Sequence, residues 1–235
     1  MGGQEVSTLQ VQAKALGDPT RHGIFQYVAE AEKPVGVAEL TGHFGLNHNA
    51  IRQHLAKLVE AKLLVESTAR PQGRGRPRLQ YVVDPRTESR WGVTGPYERL
   101  SVLLAEMVRT GDSADEIGHR AGLRHRFTET AASDPVEEFA GAMAQEGFAP
   151  ALRVNGDSVE VRLEECPFVS AALTDPQTVC DLHLGLARGV AEALGGIEVE
   201  ELRANDPRKA HCLLRCHRTP DAHERPTTAT EAQGG

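Results

Sequence analysis

The sequence has few aromatic residues, no long apolar run and no cysteine before residue 166. Phe, Trp and Tyr make up 4% of the 235 residues, so a large aromatic cage or a base-stacking platform is not expected. No apolar run approaches the ~20 residues of a membrane helix, and the N-terminus lacks the basic and apolar regions of a signal peptide. We therefore expect a cytoplasmic protein without membrane association. Clustered thiols in that compartment bind metal or undergo redox chemistry more often than they form structural disulfides.

Motifs typical of enzymes are also missing. The chain has no nucleophile elbow, no phosphate-cradling loop and no HExxH sequence. Cys180 and His183 are three residues apart, but the sequence places no third group to orient them for nucleophilic catalysis. The protein is therefore not expected to be an enzyme.

Charge is distributed unevenly along the chain. Residues 1–90 contain 12 Lys and Arg against 9 Asp and Glu, a net charge of +3, whereas the remainder carries −10. A mildly basic half beside an acidic half is expected when one end of a protein meets nucleic acid. We therefore expect double-stranded DNA to contact the first half.

Residues 9–90 have the pattern of a winged helix-turn-helix domain. Gly17, Asp18 and Pro19 break the first helical segment, and a helix over 37–44 is followed by a tight turn and a helix from Asn47 to about residue 61. Ile51 and Leu55 belong to the predicted buried face of this last helix. On or beside its opposite face are the predicted DNA-contacting residues Asn47, Asn49, Arg52, Gln53 and Lys57.

Two apolar runs, 63–67 and 79–83, predict a β-hairpin after that helix. The segment between them is rich in glycine, proline and arginine, which predicts an exposed tip, or wing. Guanidinium groups on a wing contact phosphates or enter a narrow minor groove. The expected wing contacts are Arg70, Arg74, Arg76 and Arg78.

The rest of the chain predicts an α+β fold. Residues 94–147 are predicted to form a helical dimerisation segment, in which Leu100, Leu103, Leu104 and Met107 make a stripe suited either to a second subunit or to the same chain. We favour the homodimer, because helix-turn-helix proteins commonly bind two half-sites. Residues 148–218 are predicted to form an α+β sensor domain, and residues 219–235 a disordered tail.

All four cysteines lie in the predicted sensor domain. Cys166 follows a strand on a loop, Cys180 is near the start of a long helix, and Cys212 and Cys216 share one face of the last strand. The spacing matches neither a zinc ribbon nor a ferredoxin run, so these thiols can meet only through tertiary structure. Burial of Cys180 and Cys212 as small apolar residues is the alternative.

The chain resembles the winged-helix regulators related to the iron–sulfur-cluster repressor SufR, with an ArsR/DeoR-type helix-turn-helix in the front half. The resemblance spans about residues 9–218. It is carried by the Ala-Leu-Gly-Asp-Pro-Thr-Arg start, residues 49–58, the Gly-Arg-Gly-Arg-Pro wing, and the Cys-Pro-Phe, Val-Cys-Asp-Leu-His and final-strand cysteine motifs.

The resemblance implies a homodimeric repressor of cluster-assembly genes that holds a [4Fe–4S] cluster through Cys166, Cys180 and Cys212. The additional Cys216 and the long interval between Cys180 and Cys212 leave the fourth ligand open among Cys216, His183 and His211. A zinc-binding or thiol-redox regulator is the second hypothesis, and a back half that binds a small molecule or a partner is the third.

Overall fold

The computed structural model describes residues 7–31, 33–68, 78–125, 127 and 134–220. Wing residues Arg70, Arg74 and Arg76 and the predicted disordered tail beyond residue 220 lie outside these ranges. Within them the chain is mixed helix and sheet, with an N-terminal helix-turn-helix. None of the described helices has both the length and the apolar character needed to cross a membrane.

The front half contains four helices and a small sheet. Its elements are α1 (Thr8–Leu16), α2 (Pro19–Glu30), β1 (Val35–Gly36), α3 (Val37–Phe44), α4 (His48–Glu60), β2 (Leu64–Thr68) and β3 (Leu79–Val83). The sheet order is β1-β3-β2, and both pairings are antiparallel. Strand β1 was not predicted, because two residues are too few to show an alternating pattern.

Local capping explains where these helices begin. The Asp18 carboxylate accepts a hydrogen bond from the Arg21 amide at 2.9 Å, and Pro19 occupies the first helical position of α2. Gly45 takes a φ of 65° after α3, a left-handed conformation that glycine adopts without strain. The Asn47 side chain then caps α4 by accepting from the Ala50 amide at 2.9 Å. These caps agree with the sequence prediction.

A short 3₁₀ helix at Ser89–Trp91 follows the front half, and the remaining elements form the back half. They are α5 (Pro96–Thr110), α6 (Ala114–Leu123), α7 (Pro135–Gln145), β4 (Pro150–Asn155), β5 (Ser158–Leu163), α8 (Val169–Thr174), α9 (Pro176–Leu194), β6 (Ile197–Arg203) and β7 (Cys212–Arg218). The antiparallel sheet has the order β4-β5-β7-β6. The short helix α8 was not predicted from the sequence.

Two separate hydrophobic cores hold the chain together. The front core includes Ile24, Phe25 and Leu55, and these three side chains are fully buried. The back core begins at Leu100 and runs through α7, β5 and α9 to β7. Residues from the predicted dimerisation segment and from the predicted sensor domain therefore share one core.

The apolar stripe of α5 lies partly in the chain's own core. Leu100 is 3% exposed inside the back core, and Leu103 and Leu104 are partly buried against that core. These leucines therefore contact their own chain, which was the alternative to a subunit contact, and the dimer stays a prediction. The most exposed apolar side chains of α5 are Val102, at 62%, and Val108, at 83%.

Helices α6 and α9 pack backbone against backbone through two pairs of glycines. A Cβ atom added to Gly118 would lie 1.9 Å from the Leu182 carbonyl oxygen, and one added to Gly185 would lie 2.0 Å from the Asp115 oxygen. Gly122 and Gly189 leave equally little room. Because any larger residue would force these helices apart, the glycines fix the position of α9, which carries Cys180.

Candidate functional site

The exposed face of α4 presents the polar side chains predicted to read DNA. Ile51, Leu55 and Leu58 point into the front core and are fully buried. The exposed residues on and before the helix are Asn47, Asn49, Arg52, Gln53 and Lys57. Side chains that donate and accept hydrogen bonds on one exposed helical face suit the edges of bases in the major groove.

Two of these residues already have partners within the chain. The Asn47 carbonyl oxygen is used in the helix cap. The Lys57 ammonium lies 2.7 Å from the Glu60 carboxylate, and both side chains are largely exposed. Exposed ion pairs of this kind contribute little to stability, so Lys57 can exchange Glu60 for a phosphate at small cost.

The predicted wing has its expected base. Strands β2 and β3 pair in antiparallel register from Leu64 opposite Val83 to Thr68 opposite Leu79. Residues 69–78 therefore connect the far ends of a hairpin, and Arg78 is exposed where that connection meets β3. This order of helix, turn, recognition helix and hairpin is that of a winged helix-turn-helix.

Comparison with known protein families agrees with this geometry. A family described as "Helix-turn-helix domain" matches residues 16–67, from the end of α1 to β2. Residues 16–67 form a helix-turn-helix domain. The match supports a DNA-binding transcriptional regulator of winged-helix type. No curated protein matches the chain.

A second candidate site is a small cavity in the back half where three thiols meet. Cys166 reaches it from the loop after β5, Cys180 from the first turns of α9 and Cys212 from the start of β7. The described lining also includes one imidazole, His183. The other lining residues are mostly apolar: Phe148, Leu163, Phe168, Ala172, Val179, Leu202 and Pro207, with Glu165 and Asn205.

A backbone amide points at one of the sulfur atoms. The Asn205 N–H donates to Cys212 Sγ at 3.4 Å. Hydrogen bonds to sulfur tune the reduction potential of thiolate-bound clusters. The Asn205 amide is therefore placed to stabilise Cys212 as a bound thiolate.

Burial favours the protonated form of the Cys166 and Cys180 thiols. It raises the pKa of Cys180 to about 11, and the neighbouring sulfurs of Cys212 and Cys166 add to the increase. The pKa of Cys166 is also raised, chiefly by burial, while the Phe168 amide opposes the rise. Redox-sensing cysteines have low pKa values, so neither thiol has the character of a peroxide sensor. A bound metal would displace these protons, because thiolates are the ligands.

His183 is a buried histidine with a ring nitrogen that has no partner. Its side chain stacks on Phe148 with the ring centroids 3.9 Å apart and 7° between the planes. Burial lowers the pKa of the imidazole to about 3, and Nε2 has no hydrogen-bond partner among the described residues. A neutral imidazole keeps one ring nitrogen with a free lone pair, so an unpartnered Nε2 in a cavity with three thiols fits a metal or cluster ligand.

Cys216 and His211 lie outside the described lining of the thiol cavity. Cys216 faces the same side of β7 as Cys212 but is 2% exposed in the back core, in register with Val159 and Val199. His211 is exposed, with Nδ1 2.5 Å from the Glu164 carboxylate. Neither residue is in the described cavity lining. Of the three candidates for a fourth ligand, the structure brings only His183 to the cavity.

The backbone before Cys212 is strained. Ala210 and His211 have φ values of 51° and 59°, in the left-handed region that non-glycine residues rarely occupy. The Asn205 side chain holds this turn by donating to the His211 carbonyl at 2.6 Å. Such strain clusters at functional sites because surrounding contacts must enforce it.

Among the described residues, no group of three or more His, Cys, Asp and Glu side chains is arranged to hold a single metal ion. The thiols and the imidazole share a cavity rather than one coordination sphere. The donor set itself, three cysteines and a neutral histidine in apolar surroundings, is of the kind that iron–sulfur clusters use.

Sequence reasoning missed Glu165 and Arg86. Glu165 lines the thiol cavity beside Cys166, and its carboxylate accepts from Arg86 Nη1 at 2.6 Å. Arg86 follows β3 in the front half and also binds Asp84 through Nε and Nη2 at 2.9 and 2.8 Å. The one available signal was the Asp-Pro-Arg sequence after the wing, which does not reveal a partner so distant along the chain.

Proposed function

We propose that this DNA-binding regulator is a homodimeric repressor controlled by an iron–sulfur cluster. Cys166, Cys180 and Cys212 would hold the cluster, and His183 is the strongest candidate for a fourth ligand. The single observation that carries the proposal is the meeting of these side chains at one cavity from a loop, a helix and a strand. The resemblance to SufR-like repressors favours a [4Fe–4S] cluster and cluster-assembly genes as targets.

The cavity's chemistry supports this assignment. Clusters are held by cysteine thiolates, and histidine replaces cysteine in some of them. The Asn205 amide, which donates to Cys212 Sγ, would stabilise a bound thiolate there. When bound, a cluster would supply metal–sulfur bonds linking the loop after β5 to α9 and β7. Without it, the three elements depend on packing alone.

The dimer follows from the resemblance and from the common binding of two half-sites by helix-turn-helix proteins. A dimer would place two α4 helices in successive major grooves, one turn or ~34 Å apart. Cluster loss would alter this spacing. A coupling free energy of ~1–3 kcal/mol would then change operator affinity about 5- to 150-fold.

The test is purification without oxygen, followed by iron and sulfide analysis and visible absorption. We expect a coloured protein containing iron and acid-labile sulfide. Cys180→Ser should lose both, whereas Cys216→Ser, a matched change at a thiol outside the cavity lining, should keep them. A colourless, iron-free wild-type protein that binds an operator selected from random duplexes just as tightly would overturn the proposal.

A zinc-binding or thiol-redox regulator is the second candidate, since the same three thiols are ligands that zinc accepts. Zinc would give a colourless protein with stoichiometric metal that chelators remove. Redox control would give DNA binding that peroxide abolishes and a reductant restores. The raised pKa values of Cys166 and Cys180 count against peroxide sensing.

A further inference from the structure

The two halves of the chain meet in a line of hydrogen bonds between the thiol cavity and the recognition helix. Cys166 stands next in sequence to Glu165, and Glu165 binds Arg86 at 2.6 Å. Arg86 in turn binds the side chain of Asp84 with three donors, its backbone amide, Nε and Nη2, at 2.8–2.9 Å. The guanidinium is therefore held in the front half by Asp84, while its Nη1 binds Glu165 of the back half.

Asp84 anchors this line to the end of α4. Its carboxylate is 2% exposed, and its amide donates to the Leu63 carbonyl at 2.9 Å. Leu63 itself donates to the Leu58 carbonyl of α4 at 3.0 Å. Asp84 also follows β3 directly, so one residue connects both the recognition helix and the wing strand to Arg86.

The two ends of the line differ in burial. Asp84 is buried, whereas the Glu165 side chain is 48% exposed. A second cavity of about 230 Å³ lies beside the Arg86–Glu165 contact and is lined by both residues and by Cys166. Glu165 therefore has room to leave Arg86 without displacing packed side chains, and a two-state contact is what coupling between sites requires.

We propose that the Arg86–Glu165 ion pair transmits the state of the Cys166 sulfur to the DNA-binding domain. The inference rests on the proposed function, because it assumes that Cys166 exchanges a bound for a free state. Glu165 is a positioning residue: its place follows the loop that Cys166 anchors. When that loop shifts, Arg86 loses one partner while Asp84 keeps the guanidinium in the front half.

The test compares Glu165→Gln with Glu164→Gln. Glu164 is the neighbouring carboxylate, and it pairs with Arg162 and His211, both in the back half. Each change replaces a partly exposed carboxylate by a neutral amide of the same shape, so both variants should fold. Each would be prepared with and without cluster, and operator affinity measured in both states.

In the wild type and in Glu164→Gln we expect a 5- to 150-fold difference in affinity between the two states. In Glu165→Gln the difference should fall to less than threefold when the variants are compared at equal iron and sulfide content. A Glu165→Gln protein that switches as fully as Glu164→Gln would overturn the relay. A wild type that holds no cluster would instead overturn the proposed function.

A second measurement needs no cluster. Hydrogen exchange of the metal-free protein should show faster exchange at the amides of Arg86 and Thr87 in Glu165→Gln than in Glu164→Gln, because Arg86 loses its link to the back half. Unchanged exchange in both variants would show that the contact does not hold the front segment. That result would overturn the relay even if no cluster were ever loaded.

Discussion

The two halves of this protein place their functional side chains in different ways. On α4, Asn49, Arg52 and Gln53 are neighbours in sequence, and one helix with its cap is sufficient to present them on a common face. In the thiol cavity, Cys166, Cys180 and Cys212 come from three elements and meet only after the back core has formed. A local surface tolerates changes elsewhere, whereas a convergent cavity depends on distant packing.

The largest expected loss of stability comes from a substitution that separates α6 from α9. A Cβ at Gly122 would lie 2.3 Å from the Leu186 oxygen and 2.6 Å from the Val190 nitrogen. Gly122→Ala should therefore destabilise the back half by about 3 kcal/mol or more. The matched change Gly141→Ala, in α7 with nothing within 4 Å, should stabilise it by about 0.5–1 kcal/mol.

Two signals separate the halves in this experiment. Trp91, the one tryptophan of the chain, packs against the front core and donates to Gln12 at 2.9 Å. Its fluorescence follows the front half, while circular dichroism follows both. We expect Gly122→Ala to shift the dichroism transition and leave the fluorescence transition in place. Equal shifts in both signals would mean that the halves unfold as one unit.

DNA binding should respond to single changes on α4. Arg52→Ala and Gln53→Ala should weaken binding to a selected operator by about 5- to 150-fold, the equivalent of ~1–3 kcal/mol per base contact. Lys57→Ala should weaken binding to all duplexes and lower the salt dependence by about one unit. Lys33→Ala, at an exposed position after α2, is the control. Equal losses on operator and random DNA for Arg52→Ala would contradict base reading.

High pH should destabilise the back half through its buried thiol Cys216. Burial raises the pKa of Cys216 from 9.0 to about 12. Between these values the unfolded chain loses the thiol proton and the folded chain keeps it. The contribution is complete below pH 9 and is lost as pH rises toward 12, by up to about 1.4 kcal/mol per pH unit.

Urea unfolding at pH 8, 9 and 10 under reductant measures this slope. Cys216→Val, a substitution between two valines in register, removes the ionisable group and should flatten the decline above pH 9. Because the two proteins differ only at residue 216, the difference between the two slopes isolates Cys216. Parallel slopes would indicate that Cys216 ionises as freely in the folded state as in the unfolded state.

The smallest effect concerns the cap of α4. Asn47→Ala removes the acceptor of the Ala50 amide and should cost about 1 kcal/mol, read by Trp91 fluorescence. Asn47→Asp keeps an acceptor at the positive end of the helix, so stability should be retained. Its added negative charge should still weaken DNA binding. If Asn47→Asp binds DNA as tightly as the wild type, residue 47 is a cap without a role at the interface.

Sequence patterns predicted the front half closely because its signals are local. The bounds of α3, the caps at Asp18 and Asn47 and the strand at 79–83 follow from residues within a turn of one another. The back half was predicted less fully. Helix α8 is only six residues long. In the stripe predicted for a dimer contact, Leu100 lies in the core and Leu103 and Leu104 are partly buried against it, since periodicity cannot tell which surface a stripe meets.

The sequence by itself determined the helix-turn-helix, the hairpin base and the shared face of Cys212 and Cys216, because caps, turns and residue periods act over a few positions. Only the tertiary structure decided that His183 joins the cavity, that Cys216 lies in the core, and that Arg86 meets Glu165. These outcomes depend on the distance between α6 and α9 and on the register of the strands in the back sheet. Both are set by packing between segments far apart in the chain.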